Sequence, residues 1–309
     1  MVTLSLISVD GLTKHYGRVK ALEKASFTVG TGVTGLIGPN GAGKSTLIKI
    51  ALGLVRPTYG EARVFGLDSR KERSKIMERV GVLHEKPRFP YWVTGREYLE
   101  YSAKLKRISD VTGEIKGISE ICGLTDFVDR KIGAFSAGMV QRLGLADALI
   151  GKPELVILDE PTANLDPLGR HDVLDKIKRL RDEDGMNFLI STHILSELEK
   201  VCDNVVILNE GTVLTYGSFD DLLSKHSRRK IMMKVDDPNK FIECLNRRTR
   251  EKAVVEGDSI VVEVDNATHF IKELNALFRS KAFTLKELRS CSATLEDIFI
   301  EALRRKQFD

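Results

Sequence analysis

One short glycine-rich segment constrains the fold of this chain more than any other feature. Residues 38–46 read Gly-Pro-Asn-Gly-Ala-Gly-Lys-Ser-Thr, which matches the pattern G-x-x-x-x-G-K-[ST] of a phosphate-binding loop. The apolar pair Leu36-Ile37 comes before it as the end of a predicted buried strand, and the apolar side of a predicted helix follows in residues 47–51. This strand–loop–helix context predicts an α/β fold whose loop surrounds phosphate oxygens.

The loop contributes both backbone and side chains to the predicted site. Its glycines allow backbone N–H groups to turn toward an anion. Lys44 is expected to reach the β- and γ-phosphates of a nucleotide, and the Ser45 hydroxyl is expected to ligate Mg²⁺. The predicted nucleotide-binding residues are Gly38, Pro39, Asn40, Gly41, Ala42, Gly43, Lys44, Ser45 and Thr46.

Two carboxylates follow a second buried strand. Residues 155–158 form the uninterrupted apolar run Leu-Val-Ile-Leu, which is typical of a central parallel strand covered on both faces. The run ends at Asp159-Glu160, and α/β sheets place their ligands at the carboxyl ends of strands. We therefore predict that Asp159 holds a metal ion and that Glu160 polarises an attacking water.

Three further motifs occur in a fixed order around this acidic pair. Residues 135–142 read Phe-Ser-Ala-Gly-Met-Val-Gln-Arg, residues 163–166 read Ala-Asn-Leu-Asp, and residues 191–193 read Ser-Thr-His. With these motifs, residues 3–225 resemble the ABC ATPases, the nucleotide-binding subunits of ABC transporters. The resemblance implies ATP and Mg²⁺ as cofactors.

The resemblance also assigns roles to individual residues. It implies a signature loop that acts on the nucleotide of a partner subunit, with a D-loop that includes Asp166. His193 would be the switch histidine and, with Glu160, a catalytic residue. Tyr16 lies where the family stacks an aromatic ring on adenine. The implied signature residues are Ser136, Ala137, Gly138 and Met139.

Two regions depart from the family pattern. The family usually has glutamine where this chain has Glu85. The Glu85 carboxylate would add negative charge beside the γ-phosphate, although it could still ligate Mg²⁺. The signature has Ala137 in place of its first glycine and Met139 in place of its glutamine. An added methyl group costs little at negative φ and more at positive φ. Both changes raise the question of how fast the chain turns over ATP.

The expected organisation is an ABC cassette followed by a smaller domain. The cassette, residues 1–225, would combine a RecA-like parallel sheet core of the P-loop NTPase type, an antiparallel β subdomain and a helical subdomain at about 86–150. In the helical subdomain, Phe89, Tyr91 and Trp92 form either local packing or a docking surface for a membrane partner. Residues 229–309 show strands and helices in the order βαββαβ plus a final helix, which predicts a small α+β, ferredoxin-like accessory domain. The end of this segment resembles the C-terminal extension of exporter ATPases.

Composition limits the classes of partner. The chain has 309 residues, 42% of them hydrophobic, and a net charge of +4 that is too small and too dispersed to indicate nucleic acid. No apolar run approaches the ~20 residues that span a bilayer, and the N-terminus lacks a signal-peptide pattern. The four cysteines are widely spaced, as in reduced cytoplasmic proteins. We expect a cytoplasmic location, peripheral on the membrane through a permease.

These observations leave three functional hypotheses. The leading one is an ATP-hydrolysing subunit that powers export through a separate integral membrane permease. It would work as a homodimer or heterodimer of ATPase subunits, because one chain holds a single cassette. The second is a regulatory, low-activity subunit of a heterodimer, which Glu85 and Ala137 favour. The third, a soluble ABC ATPase acting on nucleic acid or the ribosome, is disfavoured because the chain has neither a second cassette nor a long coiled-coil insertion.

Overall fold

The structure is a computed structural model that describes residues 5–163, 165–226, 229–249, 251–264, 267–279, 283–291 and 294–306. Within this part of the chain, two compact units are present, the first formed by the described residues up to 219 and from 302 onward, and the second by those in 220–301. The first boundary therefore lies a few residues before the expected end of the cassette at residue 225. No helix in the described ranges is long and apolar enough to cross a membrane.

The elements before residue 219 form three groups: an antiparallel sheet, a mainly parallel sheet and a set of helices. They are β1 (Ile7–Tyr16), β2 (Val19–Val29), β3 (Val33–Ile37), α1 (Lys44–Ala51), β4 (Tyr59–Val64), β5 (Leu67–Asp68), α2 (Arg73–Met77), β6 (Val80–Leu83), α3 (Gly95–Leu105), α4 (Val111–Cys122), α5 (Ala137–Leu149), β7 (Leu155–Asp159), α6 (Pro167–Asp184), β8 (Asn187–Thr192), α7 (Leu195–Leu198), β9 (Asn204–Asn209) and β10 (Thr212–Ser218).

The parallel sheet positions the site. Its strand order is β10-β9-β3-β8-β7-β6 among the described residues. The pairs β3–β8, β3–β9, β6–β7 and β7–β8 are parallel, and only the edge strand β10 runs antiparallel to its neighbour. Parallel strands bring their carboxyl ends to one edge. The segments that follow Ile37, Leu83, Asp159 and Thr192 therefore start side by side.

The antiparallel sheet differs in one respect from expectation. It has the order β2-β1-β4-β5. The alternation of apolar residues in the sequence predicts strands only at 4–9 and 21–29, joined through a turn at Tyr16, but β1 continues to Tyr16 and β2 already begins at Val19. The two strands pair through Tyr16 and Val19, which leaves a two-residue connection. Tyr16 thus ends a strand instead of lying in a loop, because cross-strand pairing extends past the residues whose alternation is visible in sequence.

Local capping signals place the helices of the first unit. Thr94 and Glu97 form the expected capping box at the start of α3, and Ser136 is the N-cap of α5. Asp166 caps α6, Pro167 occupies its first position, and Gly185 ends it in a left-handed conformation. The helices α3, α4 and α5 make up the predicted helical subdomain at about 86–150, with a short 3₁₀ turn at Ile132–Ala134.

The second unit has its own sheet and its own core. The elements from residue 219 onward are α8 (Phe219–His226), β11 (Arg229–Val235), α9 (Pro238–Asn246), β12 (Lys252–Glu256), β13 (Ser259–Val264), α10 (Ala267–Arg279), β14 (Leu285–Cys291) and α11 (Leu295–Lys306). The strand order β12-β13-β11-β14, with antiparallel neighbours, is that of the predicted βαββαβ arrangement. A buried cluster around Phe241 and Phe270 fills the space between this sheet and its helices.

Candidate nucleotide site

The glycine-rich loop occupies the turn between β3 and α1. Gly41 and Gly43 have φ values of 84° and 106°, a region that costs glycine little and other residues more. At Gly43 a Cβ atom would also lie 2.5 Å from the backbone oxygen of Ala21, and at Gly38 it would lie 2.3 Å from that of Leu208. Larger residues at these positions would push the loop away from the strands that support it.

Lys44 lies inside the loop that precedes it. Its side chain donates hydrogen bonds to the backbone oxygens of Gly38 at 2.6 Å and Pro39 at 3.3 Å, and the residue is only 7% exposed. Burial lowers the pKa of the Lys44 ammonium, and the charges of Glu160, Asp159 and then Glu85 oppose this shift. The loop therefore concentrates positive charge at its centre, where a phosphate would compensate it.

Ser45 and Asp159 meet across the edge of the sheet. The Ser45 hydroxyl donates to Oδ2 of Asp159 at 3.2 Å, and the Ser191 hydroxyl donates to Oδ1 of the same carboxylate. Asp159 ends β7 and is paired in register with Ser191 of β8. This hydroxyl–carboxylate pair suits Mg²⁺, which binds one or two protein oxygens together with phosphates and waters. In the described part of the chain, no three or more His, Cys, Asp or Glu side chains form a cluster that could hold a metal ion.

Glu160 and His193 form the second polar pair of the site. Nδ1 of His193 lies 3.0 Å from Oε1 and 3.1 Å from Oε2 of Glu160. An ionised carboxylate only accepts hydrogen bonds, so Nδ1 is the donor and Nε2 remains for another partner. Glu160 is nearly buried, whereas the imidazole is more than half exposed. The pair therefore joins a sheltered carboxylate to a ring that faces the cleft.

One cleft of about 470 Å³ brings these groups together. The cleft is lined by Pro39 to Thr46, Glu85, Asp159, Glu160 and His193, all of which are predicted site residues, whereas the predicted Gly38 is not part of the lining. Glu85 follows β6 by two residues, and its carboxylate is half exposed, 3.6 Å from the Lys86 ammonium. Ala163, the first residue of the D-loop motif, also lines the cleft. Three further lining residues were not predicted from the sequence, namely Val19, Lys20 and Ala21. Their closeness in sequence to Tyr16 was the available signal.

Tyr16 lies outside the lining of this cleft. It is 44% exposed at the end of β1, and the Lys14 ammonium lies 4.8 Å from the centre of its ring. The strand that begins at Val19 connects it to the lining residues 19–21. Tyr16 is therefore three residues before the first lining residue, Val19, and its partly exposed ring can contact a flat ligand.

The signature residues also lie outside the cleft, at the start of α5. The hydroxyl of Ser136 accepts a hydrogen bond from the backbone N–H of Met139 at 3.3 Å, and Sδ of Met139 accepts from the N–H of Ser136 at 3.5 Å. Ala137 is the first residue of α5 and has no positive φ. Its methyl group therefore causes no backbone strain, and Gly138 follows in the same helical turn. This exposed helix N-terminus is a favourable environment for an anion.

Two hydrogen bonds fix the D-loop segment, one at the side chain of Asp166 and one at the backbone oxygen of Leu165. Oδ1 of Asp166 accepts from the backbone N–H of Gly169 at 2.8 Å, and Nε of Arg170 donates to the backbone oxygen of Leu165 at 3.1 Å. The same guanidinium lies 3.5 Å from Oε1 of the buried Glu197, four residues after His193. Asn164 lies outside the described residues. Asp166 does not line the cleft of its own chain.

Comparison with known proteins agrees with this geometry. Residues 22–163 match the family model described as ABC transporter. The chain is 35% identical over 304 residues to an uncharacterized ABC transporter ATP-binding protein of Bacillus subtilis (strain 168), YdbJ, covering 98% of this chain and 96% of the relative. It is also 35% identical over 300 residues to the bacitracin transport ATP-binding protein BcrA of Bacillus licheniformis, covering 97% of each.

Solved structures give the same result. An ATP-binding subunit of an ABC transporter superposes with a TM-score of 0.65 and 31% identity, over 72% of this chain and 93% of that chain. A dimeric ATP-binding cassette in a post-hydrolysis state with ADP and Pi bound has a TM-score of 0.64 and 23% identity, over 69% of this chain and 98% of that chain, which shows the fold. The chain therefore belongs to the family of ABC transporter ATP-binding proteins and is an ABC-type ATPase.

Proposed function

We propose that this chain hydrolyses ATP with Mg²⁺ to drive export through a separate membrane permease. The observation that carries the proposal is the convergence of Lys44, the Ser45–Asp159 pair and the Glu160–His193 pair on one cleft. Two relatives support a role in transport: the bacitracin transport ATP-binding proteins of Bacillus licheniformis and Enterococcus faecalis, at 35% and 32% identity.

Each polar group has a proposed part in hydrolysis. The Lys44 ammonium, with the N–H groups of the loop, binds and orients the phosphates. Ser45 and Asp159 hold Mg²⁺, which would neutralise charge on the phosphates when bound. Oε1 or Oε2 of Glu160 accepts a proton from the attacking water, and Nδ1 of His193 fixes the orientation of that carboxylate. Glu85 acts at the edge of the metal site through water.

The remaining site residues are proposed to act between subunits. Residues 136–139 and Asp166 do not line the cleft of their own chain, so we assign them to the nucleotide of a second ATPase subunit in a homodimer or heterodimer. Tyr91 and Trp92 are 70% and 62% exposed, and their rings contact each other edge to face, whereas Phe89 packs against Tyr98. We propose that the exposed pair docks on the permease.

An ATPase assay on the isolated chain tests this function. We expect Mg²⁺-dependent phosphate release that EDTA abolishes, and a higher rate when the chain is purified together with its membrane partner. If the unmutated chain releases phosphate no faster than a matched Glu160→Gln preparation, the result would instead favour the regulatory, low-activity subunit. The extra carboxylate of Glu85 in the cleft supports that alternative. A rate that is insensitive to EDTA would contradict the proposed Mg²⁺ site.

Tyr16 gives a separate prediction about nucleotide affinity. We expect Tyr16→Ala to weaken ATP binding by roughly 3- to 10-fold, since aromatic stacking contributes ~0.5–1.5 kcal/mol, and Tyr16→Phe to be nearly silent because stacking uses the ring face. Titration of each variant with a fluorescent ATP analogue measures this. Tyr59→Ala is the control, because Tyr59 is an exposed tyrosine on β4 of the same sheet and does not line the cleft. Equal affinities for all four proteins would remove Tyr16 from the site.

A further inference from the structure

The backbone of Glu160 adopts an uncommon conformation at the centre of the site. Its φ is +52°, in the left-handed region that L-residues with long side chains rarely occupy. Such a conformation persists only where surrounding contacts determine it. A return to negative φ would rotate Cβ of Glu160 and carry the carboxylate away from Nδ1 of His193. The groups that hold this backbone therefore also hold the carboxylate.

Gln141 provides the side-chain contacts to this backbone. Its Nε2 donates to the backbone oxygen of Glu160 at 3.4 Å and to that of Pro161 at 3.0 Å, and the residue is only 3% exposed. Because both partners are carbonyl oxygens, only the amide NH₂ can face them, which fixes the orientation of the side chain. The backbone N–H of Glu160 is held separately, by the oxygen of Ser191 at 2.9 Å.

The contact matters because Gln141 lies on the helix that begins at the signature residues. Gln141 lies on α5, five residues after its N-cap Ser136, so the helix that presents the signature residues also holds the backbone of Glu160. The next residues of the turn are held independently, since the Thr162 hydroxyl donates to Oε2 of Glu197 at 2.6 Å. The oxygen of Glu160 also accepts from the N–H of Ala163 at 3.1 Å. Loss of the Gln141 contacts would therefore remove the side-chain donors to Glu160 and Pro161 without releasing the whole segment.

We propose that Gln141 is a positioning residue for hydrolysis, which keeps the Glu160 carboxylate directed at the attacking water by holding its left-handed backbone from α5. This inference rests on the proposed role of Glu160 as the base. Gln141 does not line the cleft, so it contributes to the reaction through Glu160 and not through contact with nucleotide.

The test is the variant Gln141→Met, which keeps the approximate side-chain volume and removes both donors. We expect kcat to fall roughly 10-fold with KM for ATP unchanged, since small misplacements of a catalytic group reduce rate more than affinity. Ser102→Ala is the matched control. It removes a hydrogen bond to Asp147 of the same helix α5 without affecting Glu160, and we expect it to hydrolyse ATP at the unmutated rate. Gln141→Leu, which also removes both donors and introduces no charge into the buried site, replaces the methionine variant if that protein does not fold.

A double variant separates positioning from general loss of structure. In the Glu160→Gln background, Gln141→Met should cause no further decrease in the residual single-turnover rate, because the group it positions no longer accepts a proton. An equal decrease in both backgrounds, or a Gln141→Met rate equal to that of Ser102→Ala, would overturn the inference alone. An unmutated rate for Glu160→Gln itself would overturn the proposed base and, with it, this inference.

Discussion

Glu160→Gln is expected to lower kcat for ATP hydrolysis by roughly 10²- to 10⁴-fold, the range that a general base contributes. The amide keeps the size of the carboxylate and can still accept a hydrogen bond from Nδ1 of His193, but it cannot take a proton from water. ATP binding should persist or become tighter, because one negative charge near the phosphates is removed. Phosphate release, ATP titration and size-exclusion chromatography with ATP together measure the effect, and an ATP-bound dimer should accumulate.

Glu78→Gln is the control for this substitution. Glu78 is an exposed carboxylate just after α2 and does not line the cleft. It should hydrolyse ATP at the unmutated rate. A Glu160→Gln protein with the same rate as Glu78→Gln would remove Glu160 from the role of base.

Lys44→Ala is expected to abolish nucleotide binding or to weaken it by more than 10-fold. The ammonium is the positive side chain placed at the centre of the phosphate-binding loop, and charge-assisted hydrogen bonds to phosphate are among the strongest in proteins. The unmutated chain should gain thermal stability with rising ATP concentration, since a ligand that binds only the folded state stabilises it. This gain should be absent in Lys44→Ala, which thermal unfolding with and without ATP measures.

Lys49→Ala controls for the loss of a lysine from the same helix. Lys49 is an exposed residue of α1 that does not line the cleft. Its variant should show the full ATP-dependent increase in unfolding temperature. If Lys44→Ala shows the same increase, the loop binds its ligand without the lysine, and the assignment is wrong.

Most of the secondary structure was predictable because its signals are local. The caps at Thr94, Ser136 and Asp166 and the glycine at position 185 mark helix ends through short-range hydrogen bonds. The alternation and turn residues of the second unit predict the βαββαβ order. They place the last strand at 283–288 and the final helix at 294–305, whereas β14 spans Leu285–Cys291 and α11 spans Leu295–Lys306. The extension of β1 to Tyr16 was not predictable, since it depends on pairing with β2 and β4.

The chemical groups of the site can be identified from local patterns in the sequence. Three local features identify these groups: the glycine-rich pattern, the apolar strand before Asp159-Glu160 and the polar residues at the end of the strand at 187–192. Each group lies within a few residues of the end of a strand. The sequence does not reveal whether the methyl group of Ala137 strains the backbone of the signature loop, because the answer depends on the φ angle of this residue. The structure answers it, since the residue is helical.

How those groups meet depends on contacts between segments that are far apart in the chain. Glu160 and His193 are 33 residues apart in the chain, and Gln141 reaches the backbone of Glu160 across 19 residues. Contacts of this kind depend on the register of β7 against β8 and on the packing of α5 beside the sheet. Neither can be predicted from a short stretch of sequence. The side chains at each strand end can therefore be read from the sequence. The hydrogen bonds that orient these side chains arise from parallel pairing, because it brings distant segments to one edge of the sheet.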